Sequence, residues 1–281
     1  MKTINLIYPE KSDVKFEQTV FPDGEPHIKL SDIDRKDSYT VICRITNPNE
    51  LFILMQVADV LDRQEVVWNL TIYYLMSQRM DRVISFNESF SLKVVADILN
   101  NMNYSYVYIY QPHSDRSIQL IKNAHNITDR SKYMNLRNSL FEDADNLCVV
   151  YPDKGAAERY SYSIWEHAAL YKIVLNKVRD LENKGKILNI KIAEDTVTKG
   201  KCNEFVFIDD LCDAGGTFMR GAEVIRKKYP DAKLYIMVQH AVNRIGIDNL
   251  AKTFDKVIIT NSYKDWNNLP DNVRMLDVIN A

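Results

Sequence analysis

Glycine is scarce in this chain, which contains 8 among its 281 residues. That is about 3%, where about 7% is typical of soluble proteins, so glycine is expected mainly where the backbone requires it. Four of the eight lie beside acidic residues in turn-like segments: Gly24, Gly155, Gly215 and Gly216. These turns are therefore the first candidates for ligand binding.

Long apolar runs and paired cysteines are also absent. No run approaches the ~18 residues that span a bilayer, and the run Ile4–Tyr8 is too short for a signal-peptide core and predicts a first strand. The cysteines Cys43, Cys148, Cys202 and Cys212 are far apart and form no Cys-x-x-Cys. Neither a zinc site nor a disulfide framework is indicated. We expect a cytoplasmic protein without a membrane partner.

The charge balance excludes further classes. Lys and Arg number 36 against 38 Asp and Glu, so a surface that binds nucleic acid is not expected. The apolar fraction of 46% and charged fraction of 26% are those of an ordinary globular protein. The chain has neither Gly-x-x-x-x-Gly-Lys-Ser/Thr nor Gly-x-Gly-x-x-Gly. P-loop kinases and dinucleotide-binding enzymes therefore have no support.

Strand and helix patterns alternate along the chain and predict an α/β fold with mostly parallel sheets flanked by helices. Predicted strands are Thr40–Ile45, Val66–Tyr73, Tyr106–Tyr110, Leu147–Tyr151, Phe205–Ile208, Lys233–Gln239 and Lys256–Thr260. Predicted helices are Asn49–Asp62, Ser89–Met102, Ala156–Leu170, Thr217–Lys228 and Ile247–Thr253. The alternation occurs twice, with a polar stretch at Asn123–Asn138 between. We predict two domains, 1–130 and 131–281, with ligands at the carboxyl ends of the strands.

The strongest motif runs from Val206 to Thr217: an apolar strand, three aspartates, then Ala-Gly-Gly-Thr at the start of a helix. Backbone N–H groups at such a turn bind phosphate. Asp209 and Asp210 at the predicted strand end are placed to accept from two vicinal ribose hydroxyls. The phosphate would be held by Asp213, Ala214, Gly215, Gly216 and Thr217. A plain acidic helix cap is the alternative, but a cap needs only one aspartate.

This motif resembles that of the type I phosphoribosyltransferase superfamily, which includes phosphoribosyltransferases and phosphoribosyl diphosphate (PRPP) synthetases. A second segment, Phe21-Pro-Asp-Gly-Glu25, would alone be read as a hairpin turn. It is similar to the element of ribose-phosphate pyrophosphokinases that contacts the adenine of ATP across a subunit interface. The resemblance implies that Phe21 stacks on the base and that Asp23 and Glu25 accept from its amino group.

Two further segments resemble ATP-phosphate elements of that family. Arg79, Asp81 and Arg82 match an Arg-Gln-Asp-Arg run, with Met80 in place of the glutamine. Alone, this segment would be read as a solvated surface loop. His113 follows a predicted strand, and the resemblance implies that it helps to hold Mg²⁺ and the ATP phosphates.

The segment from Val149 to Arg159 resembles the family's pyrophosphate loop. Asp153 would be a second Mg²⁺ contact, although a helix cap at Asp153 is an equally compatible interpretation. Ala156 stands where a second glycine is usual, and Lys154 where an apolar residue is.

Lys177 and Arg179 have the spacing of the family's flexible catalytic loop, where they would stabilise charge on the transferring group. Lys184 and Lys186 are rivals for that role. A charged strand end is the alternative interpretation of the same residues.

Together these segments resemble a ribose-phosphate pyrophosphokinase over most of the chain, with the ATP elements in the first domain and the ribose-phosphate site in the second. The resemblance implies Mg²⁺-dependent diphosphoryl transfer from ATP to a 5-phosphorylated ribose, either ribose 5-phosphate or ADP-ribose. It also implies a homo-oligomer, from dimer to hexamer. A phosphoribosyltransferase that consumes PRPP and a non-catalytic regulatory subunit are the alternatives.

Overall fold

The structure, a computed structural model, describes residues 1–127, 147–160, 169, 171–180, 186–198 and 202–279. Of residues 177–180 and 186–188 it describes the backbone alone. The chain forms two compact units, Met1–Thr128 and Asp129–Ala281. The predicted boundary near residue 130 lies outside the described residues.

The first unit is built on a parallel five-stranded sheet of order β1-β4-β5-β6-β7, and β2 and β3 form a separate antiparallel hairpin. Its strands are β1 Lys2–Asn5, β2 Phe16–Val20, β3 Pro26–Leu30, β4 Ser38–Ile45, β5 Val67–Leu75, β6 Val107–Tyr110 and β7 Ala124–Ile127. Its helices are a 3₁₀ turn Pro9–Lys11, α1 Pro48–Arg63, α2 Ser91–Leu99 and α3 Asp115–Leu120. The strand β7 falls inside the polar stretch that the sequence predicts as a connection.

Local signals determine where the helices of this unit begin and end. Asn47 caps α1 by accepting from the amides of Asn49 and Glu50, which satisfies two donors of the first turn. Helix α2 is shorter than the predicted Ser89–Met102. After Leu99 the amides of Asn101 and Met102 bond only three residues back, so the α-helical ladder closes in a tight turn.

The second unit contains a seven-stranded sheet of order β10-β9-β8-β11-β12-β13-β14. Its strands are β8 Leu147–Tyr151, β9 Tyr171–Asp180, β10 Lys186–Asp195, β11 Glu204–Cys212, β12 Lys233–Ala241, β13 Lys256–Thr260 and β14 Val273–Leu276. Its helices are α4 Lys154–Tyr160, α5 Gly216–Lys228 and α6 Arg244–Thr253. The β9–β10 pair is antiparallel and the other pairs are parallel.

The central strand β11 is longer than predicted, and this corrects the position of the acidic pair. The sequence ends the strand at Ile208, but pairing with β12 continues through Asp209 and Leu211 to Cys212. Asp209 and Asp210 therefore lie within the strand. Pairing with β8 stops at Phe207, so β11 extends beyond its neighbour on that side. The aspartates lie on this extension.

Two of the helix starts described in this unit, those of α4 and α6, follow side-chain caps. Helix α4 begins at Lys154, two residues before the predicted start, and the predicted part beyond Tyr160 up to residue 168 lies outside the described residues. Helix α6 begins at Arg244, three residues before the predicted start, because Asn243 accepts from the amide of Ile245. The start of each helix therefore follows a carboxyl strand end closely.

Candidate functional site

The paired aspartates of β11 are joined by an arginine from α4. Nη1 of Arg159 donates to Oδ1 of Asp210 at 2.5 Å and to Oδ1 of Asp209 at 3.1 Å. The backbone amide of Asp210 also donates to Oδ1 of Asp209, at 2.9 Å. One guanidinium nitrogen thus holds both carboxylates at the point where β11 extends beyond β8.

Burial makes this cluster electrostatically unusual. The side chain of Asp210 is 3% exposed, that of Asp209 12% and that of Arg159 22%. Burial raises the pKa of Asp209 well above its usual range, and the neighbouring Asp210 raises it further, although Arg159 opposes the rise. Two close carboxylates with one cation favour a further donor or cation from a ligand.

Asp153 lies at the start of α4, after the end of β8. Its Oδ1 accepts from the amide of Ala156 at 2.9 Å, so the predicted helix cap is present. Ala156, where the sequence resemblance leads one to expect a second glycine, is buried in the core of the second unit. A capping carboxylate retains lone pairs for a hard cation, so Asp153 suits Mg²⁺ chemically.

The turn between β11 and α5 has the geometry of an anion site. Gly215 has φ of +81° and precedes the first residue of α5, and no side chain caps the helix. Asp213 and Gly216 are exposed and Thr217 is half-buried. A Cβ atom on Gly216 would meet nothing within 4 Å, so open space lies before the first turn of the helix. The amides of this 13-residue helix are suited to a phosphate there.

Helix α6 and its capping residue Asn243 hold that turn through two side-chain hydrogen bonds. Nδ2 of Asn243 donates to Oδ1 of Asp213 at 3.2 Å, and Nδ2 of Asn249 donates to the carbonyl oxygen of Ala214 at 3.0 Å. Both bonds hold the turn by side chains of the next helix along the chain. The open side of the turn is left for a ligand.

In the first unit, the predicted hairpin turn is present and projects into solvent. The amide of Phe21 bonds to the carbonyl of Glu25, and Gly24 has φ of +90°, which closes the turn between β2 and β3. The Phe21 side chain is 50% exposed, and Asp23 and Glu25 are also exposed. Oδ1 of Asp23 accepts from the amide of Glu25. This arrangement presents one aromatic ring and two carboxylates together.

The 74–82 segment and the end of β6 meet in the first unit. Gln78 is buried, and its Oε1 accepts from the amide of His113 at 3.1 Å. Asp81 is also buried and pairs with Nε of Arg82 at 2.9 Å. Burial opposes ionisation of Asp81, but the hydrogen bond from Arg82 and the nearby Ser114 hydroxyl outweigh it and lower its pKa.

A cavity of about 450 Å³ lies beside these residues. Its lining consists of Asp81, Arg82, Ser114, Asp115, Arg116 and Gln119. Arg79 is exposed nearby in the chain and is not part of the lining. Two arginines facing one cavity suit the phosphates of a nucleotide.

The backbone of Lys177 and Arg179 belongs to strand β9. Within the sheet, Lys177 is paired with Ile190 and Arg179 with Ile187 of β10. The alternative prediction, a charged strand end, describes this backbone better than an irregular loop. The rival Lys186 begins β10, whereas Lys184 lies outside the described residues.

Several residues of these sites were given no role by the sequence. Arg159, Arg116 and Gln78 stand inside or beside the motifs without matching a motif position. A signal was present for Arg159, since three aspartates in five positions require a nearby cation. His113 and Asp153, the predicted metal contacts, belong to different units.

In the described ranges, no three His, Cys, Asp or Glu side chains are grouped closely enough to hold a metal ion. No helix in the described part of the chain has the length and apolar character needed to cross a membrane.

Comparison with known proteins identifies similar sequences. No protein-family model matches the chain. Proteins named ribose-phosphate pyrophosphokinase are similar over most of its length. That of Saccharolobus solfataricus is 25% identical over 265 residues, which cover 88% of each chain. That of Pyrococcus furiosus is 25% identical, covering 86% of this chain and 84% of the relative. That of Fusobacterium nucleatum is 28% identical, covering 86% and 76%.

Among solved structures, the fold is similar to that of phosphoribosylpyrophosphate synthetase from Mycobacterium smegmatis. The TM-score is 0.77 over 96% of this chain and 88% of that one, with 18% sequence identity. This similarity confirms the predicted α/β fold with mostly parallel sheets.

Proposed function

Since this chain is a homologue of the ribose-phosphate pyrophosphokinases, we propose that it transfers the diphosphoryl group of ATP to the anomeric hydroxyl of a 5-phosphorylated ribose. The attacking hydroxyl oxygen forms a bond to the β-phosphorus, the bond from that phosphorus to the α-phosphate oxygen breaks, and AMP leaves. The enzyme class is a diphosphokinase-type transferase.

The observation that carries the proposal is the acidic pair of β11 followed at once by an open helix start. Asp209 and Asp210 supply acceptors for ribose hydroxyls, and the turn at Gly215 and Gly216 supplies donors for the 5-phosphate. A ribose 5-phosphate carries ring hydroxyls on one side and the 5-phosphate on the other, so it offers a group to each of these two parts of the site. Gly215 and Gly216 follow the two aspartates by only five to seven residues in sequence, so one small ligand can reach both.

Catalysis by such a site depends on positioning and on charge neutralisation. Phe21, Asp23 and Glu25 would hold adenine, and the arginines beside the 450 Å³ cavity would hold phosphates. Asp81 is ionised and pairs with Arg82, which fixes the guanidinium beside that cavity. Lys177 and Arg179 on β9 are proposed to meet the transferring group.

We propose that Mg²⁺ accompanies ATP, with Asp153 and His113 as its contacts. Bound Mg²⁺ would neutralise phosphate charge. Oxygen and imidazole donors without thiolates suit a hard cation carried by a nucleotide. Asp153 fits this role because it presents a carboxylate at the start of α4, just after the end of β8.

We also propose a homo-oligomer, at least a dimer, in which the exposed hairpin turn around Phe21 completes the ATP site of a neighbouring subunit. The support is its exposure: an aromatic ring and Val20 beside it are half or more exposed. Light scattering across a dilution series tests this proposal, which predicts that activity falls as the oligomer dissociates.

The acceptor is proposed to be ribose 5-phosphate, as in PRPP synthesis, with ADP-ribose as the second candidate. Open space before Gly216 supports a phosphate at the turn, and an esterified phosphate presents the same ribose-proximal oxygens.

One assay tests the proposed function. Purified protein is incubated with ATP and Mg²⁺ and with ribose 5-phosphate, ADP-ribose or free ribose in parallel, and product masses are read. We expect AMP release with a phosphorylated ribose and none with free ribose. A phosphoribosyltransferase would release no AMP but would consume PRPP, and a regulatory subunit would do neither.

A further inference from the structure

The geometry points to unequal roles for the two aspartates, and we propose that Arg159 is the positioning residue that creates the difference. It holds Asp210 as its structural partner and thereby fixes the orientation of Asp209, which contacts the acceptor. This inference rests on the proposed function for the identity of the acceptor.

The first support is the place of Arg159 in the fold. Ladder pairing between β8 and β11 ends at Phe207, and α4 follows β8 after a short turn. Arg159 lies on α4 and reaches the extension of β11 where β8 no longer covers it.

The second support is the difference in distance and burial. The Arg159 contact is 2.5 Å to Asp210 and 3.1 Å to Asp209, and the Asp210 side chain is 3% exposed against 12% for Asp209. A ligand hydroxyl reaches Asp209 more readily than Asp210. The backbone amide of Asp210 and the guanidinium of Arg159 both donate to the Asp209 carboxylate. The two residues therefore orient that carboxylate together.

The third support is the charge balance around the guanidinium. Arg159 is influenced by Asp153 and Tyr160 of its own segment as well as by Asp209 and Asp210 of β11. Among these described groups one is a cation and three are carboxyl groups, so a further donor or cation from a ligand is favoured there. The more exposed of the β11 pair, Asp209, is where a ligand can supply one.

A double-mutant cycle tests the proposal. The proteins are wild type, Arg159→Gln, Asp210→Asn and the double variant, with Asp209→Asn for comparison. We expect each of the first two single changes to lower kcat/KM for the acceptor by at least about tenfold, because each removes the buried charge-assisted contact between Arg159 and Asp210. The double variant should be within about threefold of the worse single variant, because both remove the same contact.

The KM for ATP separates positioning from general damage. It should stay within about twofold of wild type in Arg159→Gln while the acceptor KM rises. Arg159→Lys should recover part of the loss, since an ammonium keeps the charge but not the planar fork. Arg226→Gln, at a half-exposed arginine on α5, is the control and should match wild type.

Asp209→Asn should lower turnover more than either of the other single changes, because Asp209 contacts the acceptor directly. Adding Arg159→Gln to it should cost little more. The proposal would be overturned if the losses of kcat/KM caused by Arg159→Gln and Asp210→Asn multiply in the double variant. It would also be overturned if the acceptor KM is unchanged in Arg159→Gln.

Thermal unfolding of the same four proteins distinguishes this proposal from the proposed function. If Arg159 and Asp210 are paired, the shift in Tm of the double variant should be smaller than the sum of the shifts of the two single variants. Additive shifts overturn the pairing whether or not any acceptor reacts. Coupled unfolding shifts without AMP release from any phosphorylated ribose would instead reject the proposed function and leave the pairing supported.

Discussion

A Cβ atom on Gly246 would lie 1.7 Å from the carbonyl oxygen of Asp213. The first turn of α6 therefore lies directly against the backbone that leads into the proposed phosphate turn. Asn243 and Asn249 of the same region bond to Asp213 and Ala214. The shape of the turn thus depends on a helix that follows it by some thirty residues in sequence.

Gly246→Ala should destabilise the protein by about 3 kcal/mol, because the methyl group forces α6 or the Asp213 backbone to move. Urea unfolding at neutral pH measures the loss. Gly216→Ala is the matched control, since its methyl would enter open space, and it should change stability by less than about 1 kcal/mol. Equal losses in both variants would show that α6 and the turn are not in close contact.

A bulky side chain at position 216 should interfere with the acceptor and leave ATP unaffected. Gly216→Val places its methyls before the first turn of α5, where the 5-phosphate is proposed to bind. We expect the acceptor KM to rise about tenfold or more, with an ATP KM near that of wild type. Steady-state kinetics with each substrate varied in turn provide the check. An unchanged acceptor KM would place the phosphate elsewhere.

Phe21→Ala should weaken ATP binding with little loss of stability. The ring is half-exposed at the tip of the β2–β3 hairpin, so it contributes little to the core. Stacking of a base on an aromatic ring contributes about 1–3 kcal/mol, which corresponds to an ATP KM raised roughly 5- to 150-fold. Val20→Ala is the control at the adjacent exposed position. If both variants raise the ATP KM alike, the hairpin contacts the neighbouring subunit but the Phe21 ring does not stack on adenine.

Removal of the divalent cation should abolish turnover, and Asp153→Asn should raise the Mg²⁺ concentration needed for half-maximal activity. Asparagine keeps the oxygen that caps α4, so the helix start is preserved while the charge is lost. His113→Ala should have an effect of the same sign. Titration of activity against Mg²⁺ measures both, and full activity in excess chelator would contradict the prediction.

Asp195 should stabilise the second unit in a pH-dependent way. Burial opposes its ionisation, but Lys228 at 2.5 Å and Tyr229 at 2.7 Å donate to it and lower its pKa. A carboxyl group whose pKa is lowered in the folded state stabilises the protein at pH values above its unfolded pKa of about 4. This contribution is lost as the pH falls through the folded-state pKa.

Asp195→Asn should therefore cost about 1–2 kcal/mol at pH 7, and the difference from wild type should shrink below about pH 4. Urea unfolding at several pH values measures it. The exposed Asp231 provides a control substitution, Asp231→Asn, which should show no such trend. A difference that persists unchanged at pH 3 would indicate a packing effect instead.

Elements with a strong period were predictable from the sequence. The strands Leu147–Tyr151 and Lys256–Thr260 have the predicted bounds, and α1 and α5 extend the predicted segments by only one residue at an end. The two strands are short continuous apolar runs, the two helices repeat apolar residues at helical spacing, and turn residues limit all four. The hairpin turn around Gly24 was predictable for the same reason, because Pro-Asp-Gly favours one backbone shape.

Other features depended on partners distant in sequence. The charged strand β10 is stabilised by pairing with β9, and no local pattern in Lys186–Asp195 indicates that partner. The strand β11 continues through Asp209 because β12 continues beside it. Arg159 approaches Asp210 only because α4 folds back toward the end of β11, which needs the sheet order and not the motif.

The position of β11 also has a consequence for how the molecule opens. It is hydrogen-bonded to β8 on one side and β12 on the other, in the middle of a seven-stranded sheet. Local fluctuations release edge strands and loops first, so the backbone amides of residues 205–207, which lie between both neighbours, should exchange with solvent hydrogens only in the rarest openings. The carboxyl pair lies just beyond this segment, where pairing with β8 has ended and pairing with β12 continues, so its amides should exchange sooner than those of the strand centre.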